Sequence, residues 1–232
     1  MIGVMIPTFN ERDNIGLLIE KIFALPLSDL HLFVVDDNSP DGTADLVENW
    51  AKKYPQIHLL RRTVRGRASA GLDGFREALK AGCGTIIEMD ADLSHDPNDI
   101  PRFLEQIKTC DMVIGSRYAG GTIENRNWFR NCLSDVINFF NRLLLGSKVK
   151  DISGGYKCYR REVLAALDFD RFVSTDYSIG AELLYKISKK KFRIVEIPIH
   201  FHNRIYGRSK CGIRQMINYG WKLIQIRFFS WG

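Results

Sequence analysis

The sequence predicts an α/β domain built on an open, mostly parallel sheet with helices on both faces. Three observations predict it. Short apolar runs without polar alternation, at 2–6, 32–35, 57–60, 85–87 and 112–114, read as strands buried on both sides. Amphipathic stretches at 14–24, 43–54, 68–81 and 97–108 separate them, so strand and helix alternate through the first half. Polar segments follow the first, second, fourth and fifth strands: Thr8-Phe9-Asn10-Glu11, Asp36-Asp37-Asn38-Ser39, Asp90-Ala91-Asp92 and Ser116-Arg117-Tyr118. In such a sheet all four fall on the edge where ligands bind, outside the carboxyl ends of the strands.

Each element has a local reason. The first strand runs into Pro7, and the stripe Ile15, Leu18, Ile19, Ile22 and Phe23 has helical spacing. Arg65-Gly66-Arg67 is the turn into the third helix, and Asp96 before Pro97 is a helix start. The second half is less regular. Residues 125–145 read as a helix with Trp128, Phe129, Cys132, Val136, Phe139, Phe140 and Leu143 on its apolar side, and 151–156 as a turn-rich linker. A helix over 178–189 precedes a strand over 193–199, where Pro198 marks a sheet edge or strand end. A basic loop at 204–210 leads to the closing segment 212–229. That segment sets Ile213, Met216, Ile217, Leu223 and Ile224 against Arg214, Lys222 and Gln225, the pattern of a helix in a membrane interface or of one packed on the core.

The chain has 232 residues, 45% hydrophobic and 26% charged, enough for a substantial core in a soluble protein. The net charge of +6 suits an anionic partner. Five scattered cysteines without a Cys-x-x-Cys pair oppose a zinc site or a disulfide framework and fit reduced thiols in a cytosolic setting. No signal peptide is expected, because Met1 leads directly into a strand, and no apolar run is long enough to span a membrane.

Asp90 and Asp92 follow the fourth strand two residues apart, so extended backbone turns both toward one crevice. Like charges so close call for a cation or hydrogen-bond donors between them. A hard divalent ion that also holds a diphosphate is one such cation, since Mg²⁺ takes one or two carboxylates and completes its shell with water and phosphate oxygens.

These segments resemble the inverting nucleotide-sugar glycosyltransferases of family 2, which share a single Rossmann-like GT-A domain. More narrowly they resemble polyprenol-phosphate mannosyltransferases of the dolichol-phosphate mannose synthase type. The carrying motifs are Pro7-Thr8-Phe9-Asn10-Glu11, Asp36 through Thr43, Asp90 through Pro97, Gly115-Ser116-Arg117-Tyr118, Ser153-Gly154-Gly155-Tyr156-Lys157 and Arg204-x-x-Gly207-x-Ser209-Lys210. Ser94 stands where the family usually has a metal-supporting Gln, the third-helix entry lacks the Lys-x-Gly-Leu-Gly form, and many relatives continue into transmembrane helices. The resemblance implies a catalytic domain over 1–211, with a nucleotide-sugar half at 1–118 and an acceptor half at 119–211, followed by the amphipathic segment 212–232.

The resemblance also implies roles. Pro7, Phe9, Glu11, Val35, Asp37, Asp90, Ala91, Asp92, Arg117, Arg204 and Lys210 bind the nucleotide sugar. Asp90 and Asp92 hold Mg²⁺ or Mn²⁺; Asp92 and Arg117 are catalytic; Arg117, Arg130 and Ser134 bind the acceptor phosphate. Arg130 and Ser134 are one helical turn apart, hence on one face. The implied reaction moves mannose from GDP-mannose to a polyprenyl (dolichyl) phosphate. The protein would sit peripherally on the cytoplasmic face of a membrane, with a membrane-protein subunit as an admissible partner and no nucleic acid. UDP-glucose or another nucleotide sugar is the alternative donor, and a non-enzymatic anionic-lipid binder the alternative class. A nucleotidyltransferase would want a Gly-rich signature early in the chain, which Pro7 to Asp13 lacks. His200 and His202 have the spacing of one strand face. With no carboxylate or cysteine completing a set, they and His95 are read as structural or solvent-exposed.

Overall fold

The computed structural model describes residues 1–124, 138–139, 141–176, 178–202 and 213–229, with side chains of the last helix described from 219 to 228. Seven strands form the central sheet: β1 (Ile2–Thr8), β2 (Leu30–Asp36), β3 (Ile57–Arg61), β4 (Thr85–Glu88), β5 (Met112–Ser116), β7 (Lys157–Arg160) and β8 (Ile194–Pro198), in the order β3-β2-β1-β4-β7-β5-β8. Two short strands, β6 (Thr122–Ile123) and β9 (His200–Phe201), pair separately in parallel. The helices are α1 (Arg12–Phe23), α2 (Thr43–Lys53), α3 (Arg67–Lys80), α4 (Ile100–Gln106), α5 (Arg161–Ala165), α6 (Ile179–Lys189) and α7 (Ile213–Phe229). Among the described residues, no helix is long and apolar enough to cross a membrane.

The uninterrupted apolar runs are explained by burial on both faces. Val4 and Ile6 of β1, Leu32 and Val34 of β2 and Ile87 of β4 enter one core layer, shared with Ile15, Leu18, Ile19 and Phe103 from α1 and α4. Their neighbours Met5, Phe33 and Ile86 enter the opposite layer with α3, α6 and α7. Each such side chain, fully removed from water, contributes about 1.5–3 kcal/mol. The helix expected over 97–108 is α4 between two 3-10 turns, Pro97–Asp99 and Ile107–Thr109, and the Asp96 carboxylate accepts from the Asn98 N–H at 3.0 Å, capping it as expected. Pro198 ends the edge strand β8, also as expected.

One strand lies outside the sequence reading, and the apolar sides expected for two helices are corrected. The stretch after the turn-rich segment forms β7, which runs antiparallel between β4 and β5. Its period-two pattern sends Tyr156 and Cys158 to one layer and Tyr159 to the other, but the charge of Lys157 interrupts the apolar signal. The closing helix packs on the core through Leu223 and Ile226, with the Tyr219 hydroxyl donating to Asn141 Oδ1 at 3.0 Å. Ile224, expected on the same side as Leu223, is instead exposed with Trp221 and Phe228. The helix carries two apolar stripes: Leu223 and Ile226 are buried, and Trp221, Ile224 and Phe228 are exposed. Likewise residues 141–145 are helical with Asn141 and Leu145 buried, while Phe139 and Leu143 of the expected apolar side point outward.

Candidate active site

Parallel strands β1, β2, β4 and β5 end at one rim, as the alternation predicts. Because β7 runs the other way, its start lies at that same rim and brings Asp151 through Gly155 beside the ends of β4 and β5. The loop after β4 is tightly fixed. Leu93 adopts a left-handed conformation with φ 62°, a local cost of roughly 1–2 kcal/mol. Asp92 is buried, and its Oδ1 accepts from the Ser94 N–H at 3.1 Å and from the Ser94 hydroxyl at 2.5 Å. The Asp90 N–H donates to His95 Nδ1 at 3.1 Å, which assigns the ring proton to Nε2. His95 stacks on Tyr156 with centroids 4.9 Å apart, and its burial lowers its pKa despite Asp90 and Asp92 nearby. It is buried, so of the two placements the sequence reading left open, solvent exposure is ruled out.

Asp90 is the more open carboxylate, with 37% of its side chain exposed. Its Oδ1 lies 3.5 Å from Arg67 Nη2. Gly155 clears space beside it: a Cβ there would stand 3.0 Å from Asp90 Oδ2. Beneath, buried Glu88 accepts from the Tyr159 hydroxyl at 3.0 Å and lies 3.4 Å from Arg67. Lys157 is fully buried close by. Burial lowers its pKa, against the fields of Glu88, Asp151 and Asp90. Sequence reasoning assigned no role to Arg67, Glu88, Asp151 or Lys157. For Glu88 and Lys157 the available signal was charge beside apolar residues; Arg67 and Asp151 fall in segments read as turns, which gave none.

At the other end of the rim, Phe9 is half-buried under the Arg65 guanidinium, 3.6 Å from its ring centroid. Pro7 lies in β1 beside Val35 of β2. The Val35 side chain is buried against Gly74 of α3. Asp41 receives the Arg12 N–H at 3.1 Å and the Thr43 N–H at 2.9 Å. Asp41 thus serves the starts of both α1 and α2, and Glu11 makes no cap; its Oε2 accepts from Asn14 at 2.8 Å. Asp37 is buried in an ion pair with Arg62 and also accepts from the Gly66 N–H at 2.8 Å. Its remaining lone pairs are what it can offer a ligand.

Arg117 is held from behind. Its Nε and Nη2 donate to Asp151 Oδ2 and Oδ1 at 2.8 and 2.7 Å, and Nη2 donates also to the Ser153 hydroxyl at 2.8 Å. Burial pushes the Asp151 carboxyl up, but the Arg117 guanidinium outweighs it and holds the group below the usual carboxylate range. Arg130, Ser134, Arg204 and Lys210 lie outside the described residues. The structure thus brings Asp90, Ala91, Asp92 and Arg117 to one end of the rim and Pro7, Phe9, Glu11 and Asp37 to the other.

The loop after β4 offers oxygen donors in Asp90, Asp92 and the Ser94 hydroxyl, with the Arg67 guanidinium 3.5 Å from Asp90 Oδ1. That set, with Asp90 open and the Gly155 clearance beside it, fits a hard divalent cation.

Residues 3–168 match the model of glycosyl transferase family 2. The chain belongs to that family. This glycosyltransferase is 41% identical over 212 residues to the polyprenol monophosphomannose synthase of Mycolicibacterium smegmatis, covering 89% of this chain and 79% of that protein. It is 40% identical over 209 residues to the undecaprenyl-phosphate mannosyltransferase of Micrococcus luteus, covering 89% and 85% respectively. Among solved structures, the glucosyl-3-phosphoglycerate synthase of Mycobacterium tuberculosis with Mn²⁺, uridine diphosphate and phosphoglyceric acid superposes with a TM-score of 0.70 at 18% identity, covering 99% of this chain and 78% of that one. A mannosyltransferase from Pyrobaculum calidifontis in complex with GDP-Man and Mn²⁺ gives 0.63 at 21% identity, covering 98% and 62%. These two establish the shared fold. The glycosyltransferase, like them, is an α/β protein with a mostly parallel central sheet.

Proposed function

We propose that this glycosyltransferase moves mannose from GDP-mannose to a polyprenyl phosphate, with inversion at the sugar carbon. The observation that carries the reading is the extent of the two mannosyltransferase relatives: 40–41% identity over 89% of the chain. A divalent ion, Mg²⁺ or Mn²⁺, would be held by Asp90 and Asp92 and would supply Lewis-acid stabilisation of the diphosphate leaving group.

The chain's own residues supply position and field. Pro7, Phe9, Glu11 and Asp37 bind the nucleoside, Asp37 by accepting from ribose hydroxyls. Arg204 and Lys210 bind the diphosphate. Arg117, oriented by Asp151, binds the acceptor phosphate with Arg130 and Ser134, since arginine suits bidentate phosphate recognition. That phosphate is already anionic near neutral pH, so no general base is required and the rate comes from positioning and electrostatics. The exposed side chains of Phe139, Leu143, Trp221, Ile224 and Phe228 support a peripheral membrane position on the cytoplasmic face, where a lipid acceptor is reached.

The test is transfer by the full chain from a panel of GDP-mannose, UDP-glucose and other nucleotide sugars to short polyprenyl phosphates, with and without chelator. Chelator-sensitive mannosyl transfer from GDP-mannose is expected. Preference for UDP-glucose would replace the donor assignment, and failure of every donor would overturn the reading.

A further inference from the structure

The ribbon formed by β6 and β9 carries a second cluster of ligating groups. Thr122 pairs with His200 and Ile123 with Phe201, and the Glu124 N–H donates to the Phe201 carbonyl at 3.0 Å. Gly121 admits the close approach that builds the ribbon, because a Cβ there would collide with the carbonyl oxygens of Ser116 and Ile199. Phe201 packs against His95 and under the Arg117 guanidinium, with centroid distances of 5.5 and 5.3 Å. Strand alternation places His200 and His202 on the other face with Glu124. One ligand atom from each of Glu124, His200 and His202 lies within 4.8 Å of the others. Glu124 Oε2 is 3.5 Å from His202 Nδ1, and the two imidazoles cross edge to face with centroids 4.5 Å apart. The carboxylate that the sequence reading found lacking for these histidines thus arrives from another strand.

We propose that Glu124, His200 and His202 form a second metal site, distinct from the Asp90–Asp92 pair and suited to a borderline transition ion such as Zn²⁺. Two imidazoles and one carboxylate are the donor set of three-ligand zinc sites, which leave a fourth position open. The all-oxygen set at Asp90 and Asp92 favours harder ions. Ligand bonds of about 2.0–2.2 Å bring the donor atoms of a tetrahedral ion within about 3.5 Å of one another. Rotation of the Glu124 and His200 side chains, both at exposed positions, would close the remaining distance. The backbone is already fixed, since the His202 N–H donates to the Ser94 carbonyl at 3.0 Å. The Thr122 hydroxyl is bonded to His200 Nδ1, the outer-shell contact that orients a ligating imidazole. An ion here ties the end of β6 to the end of β9 and, through Ser94, to the Asp92 loop. This site stands independently of the proposed glycosyl transfer.

The full chain carrying Asp90→Asn and Asp92→Asn, which silences the oxygen site, is stripped with chelator and titrated with Zn²⁺ against a chromophoric competitor. One equivalent is expected. His200→Ala or His202→Ala should weaken it at least about tenfold, and Thr122→Val, which keeps all three donors, by about 10- to 100-fold. Co²⁺ in place of Zn²⁺ should give visible d–d bands without the near-ultraviolet charge transfer of thiolate ligation, and those bands should vanish in His202→Ala. His31→Ala, at the separate His31–His58 pair whose ring nitrogens are 2.9 Å apart, should change nothing. Glu124→Gln, at an exposed position, gives the same reading if a histidine variant does not fold. No binding in the double-Asn background, or unchanged affinity in the folded His or Gln variants, overturns the site.

Discussion

Arg117 and Asp151 meet in a two-pronged ion pair at the mouth of the rim, although 34 residues separate them in the chain. The Asp151 side chain is fully buried and that of Arg117 only 10% exposed. Truncating one partner of such a pair strands the other charge away from water. Asp151→Ala is therefore expected to lower stability by about 3–5 kcal/mol, read by urea denaturation. The pair also sets an acid limit. Because the Asp151 carboxyl is lowered from its ordinary value of 3.8, its contribution is fully present above that value and is lost as pH falls through the lower folded value. Wild type should show that acid-side loss of stability, and Asp151→Asn should lack it.

Asp92→Asn retains an oxygen for the Ser94 N–H and hydroxyl while removing the charge. The expected result is an unchanged melting temperature with turnover reduced by about 10²–10³-fold, the scale of removing one preorganised electrostatic contact. Normal turnover with Mn²⁺ present would remove Asp92 from the mechanism.

Gly155→Ala tests the clearance beside Asp90. The new methyl would stand 3.0 Å from Asp90 Oδ2 and 3.3 Å from His95 Cε1, so the carboxylate must move aside. Mn²⁺ activation should shift to about tenfold higher metal concentration, with circular dichroism unchanged.

Gly74 lies where α3 crosses the sheet. A Cβ there would stand 2.5 Å from Met5 Cγ and 2.9 Å from Val35 Cγ2. Met5 can bend away; branched Val35, fixed in β2, cannot. Gly74→Ala should cost about 1–3 kcal/mol by overpacking, seen as a fall in melting temperature of about 2–4 °C per kcal/mol.

Trp221 and Phe228 are 63% and 68% exposed on the outer stripe of α7. Replacing each with Ser should leave the melting temperature unchanged and reduce flotation with anionic vesicles by about tenfold per residue, the worth of one aromatic side chain removed from water. Unchanged flotation of the double variant would leave the membrane position without this support.

Hydrophobic periodicity is local, so the sequence alone determined that strands and helices alternate, that β1, β2, β4 and β5 are buried on both faces, and that Asp90 and Asp92 lie at a strand end. It also carried the motifs of family 2. Lys157 hid β7, because a charged residue breaks an apolar pattern that only Glu88 and the surrounding field make tolerable. The two stripes of α7 read as one, because amphipathicity marks which side chains are apolar and not which of them find a partner. The antiparallel entry of β7, the capture of Arg117 by Asp151 and the gathering of Glu124 with His200 and His202 were decided only by tertiary structure. Those contacts join residues dozens of positions apart, and their existence depends on strand order and direction, which no window of sequence contains.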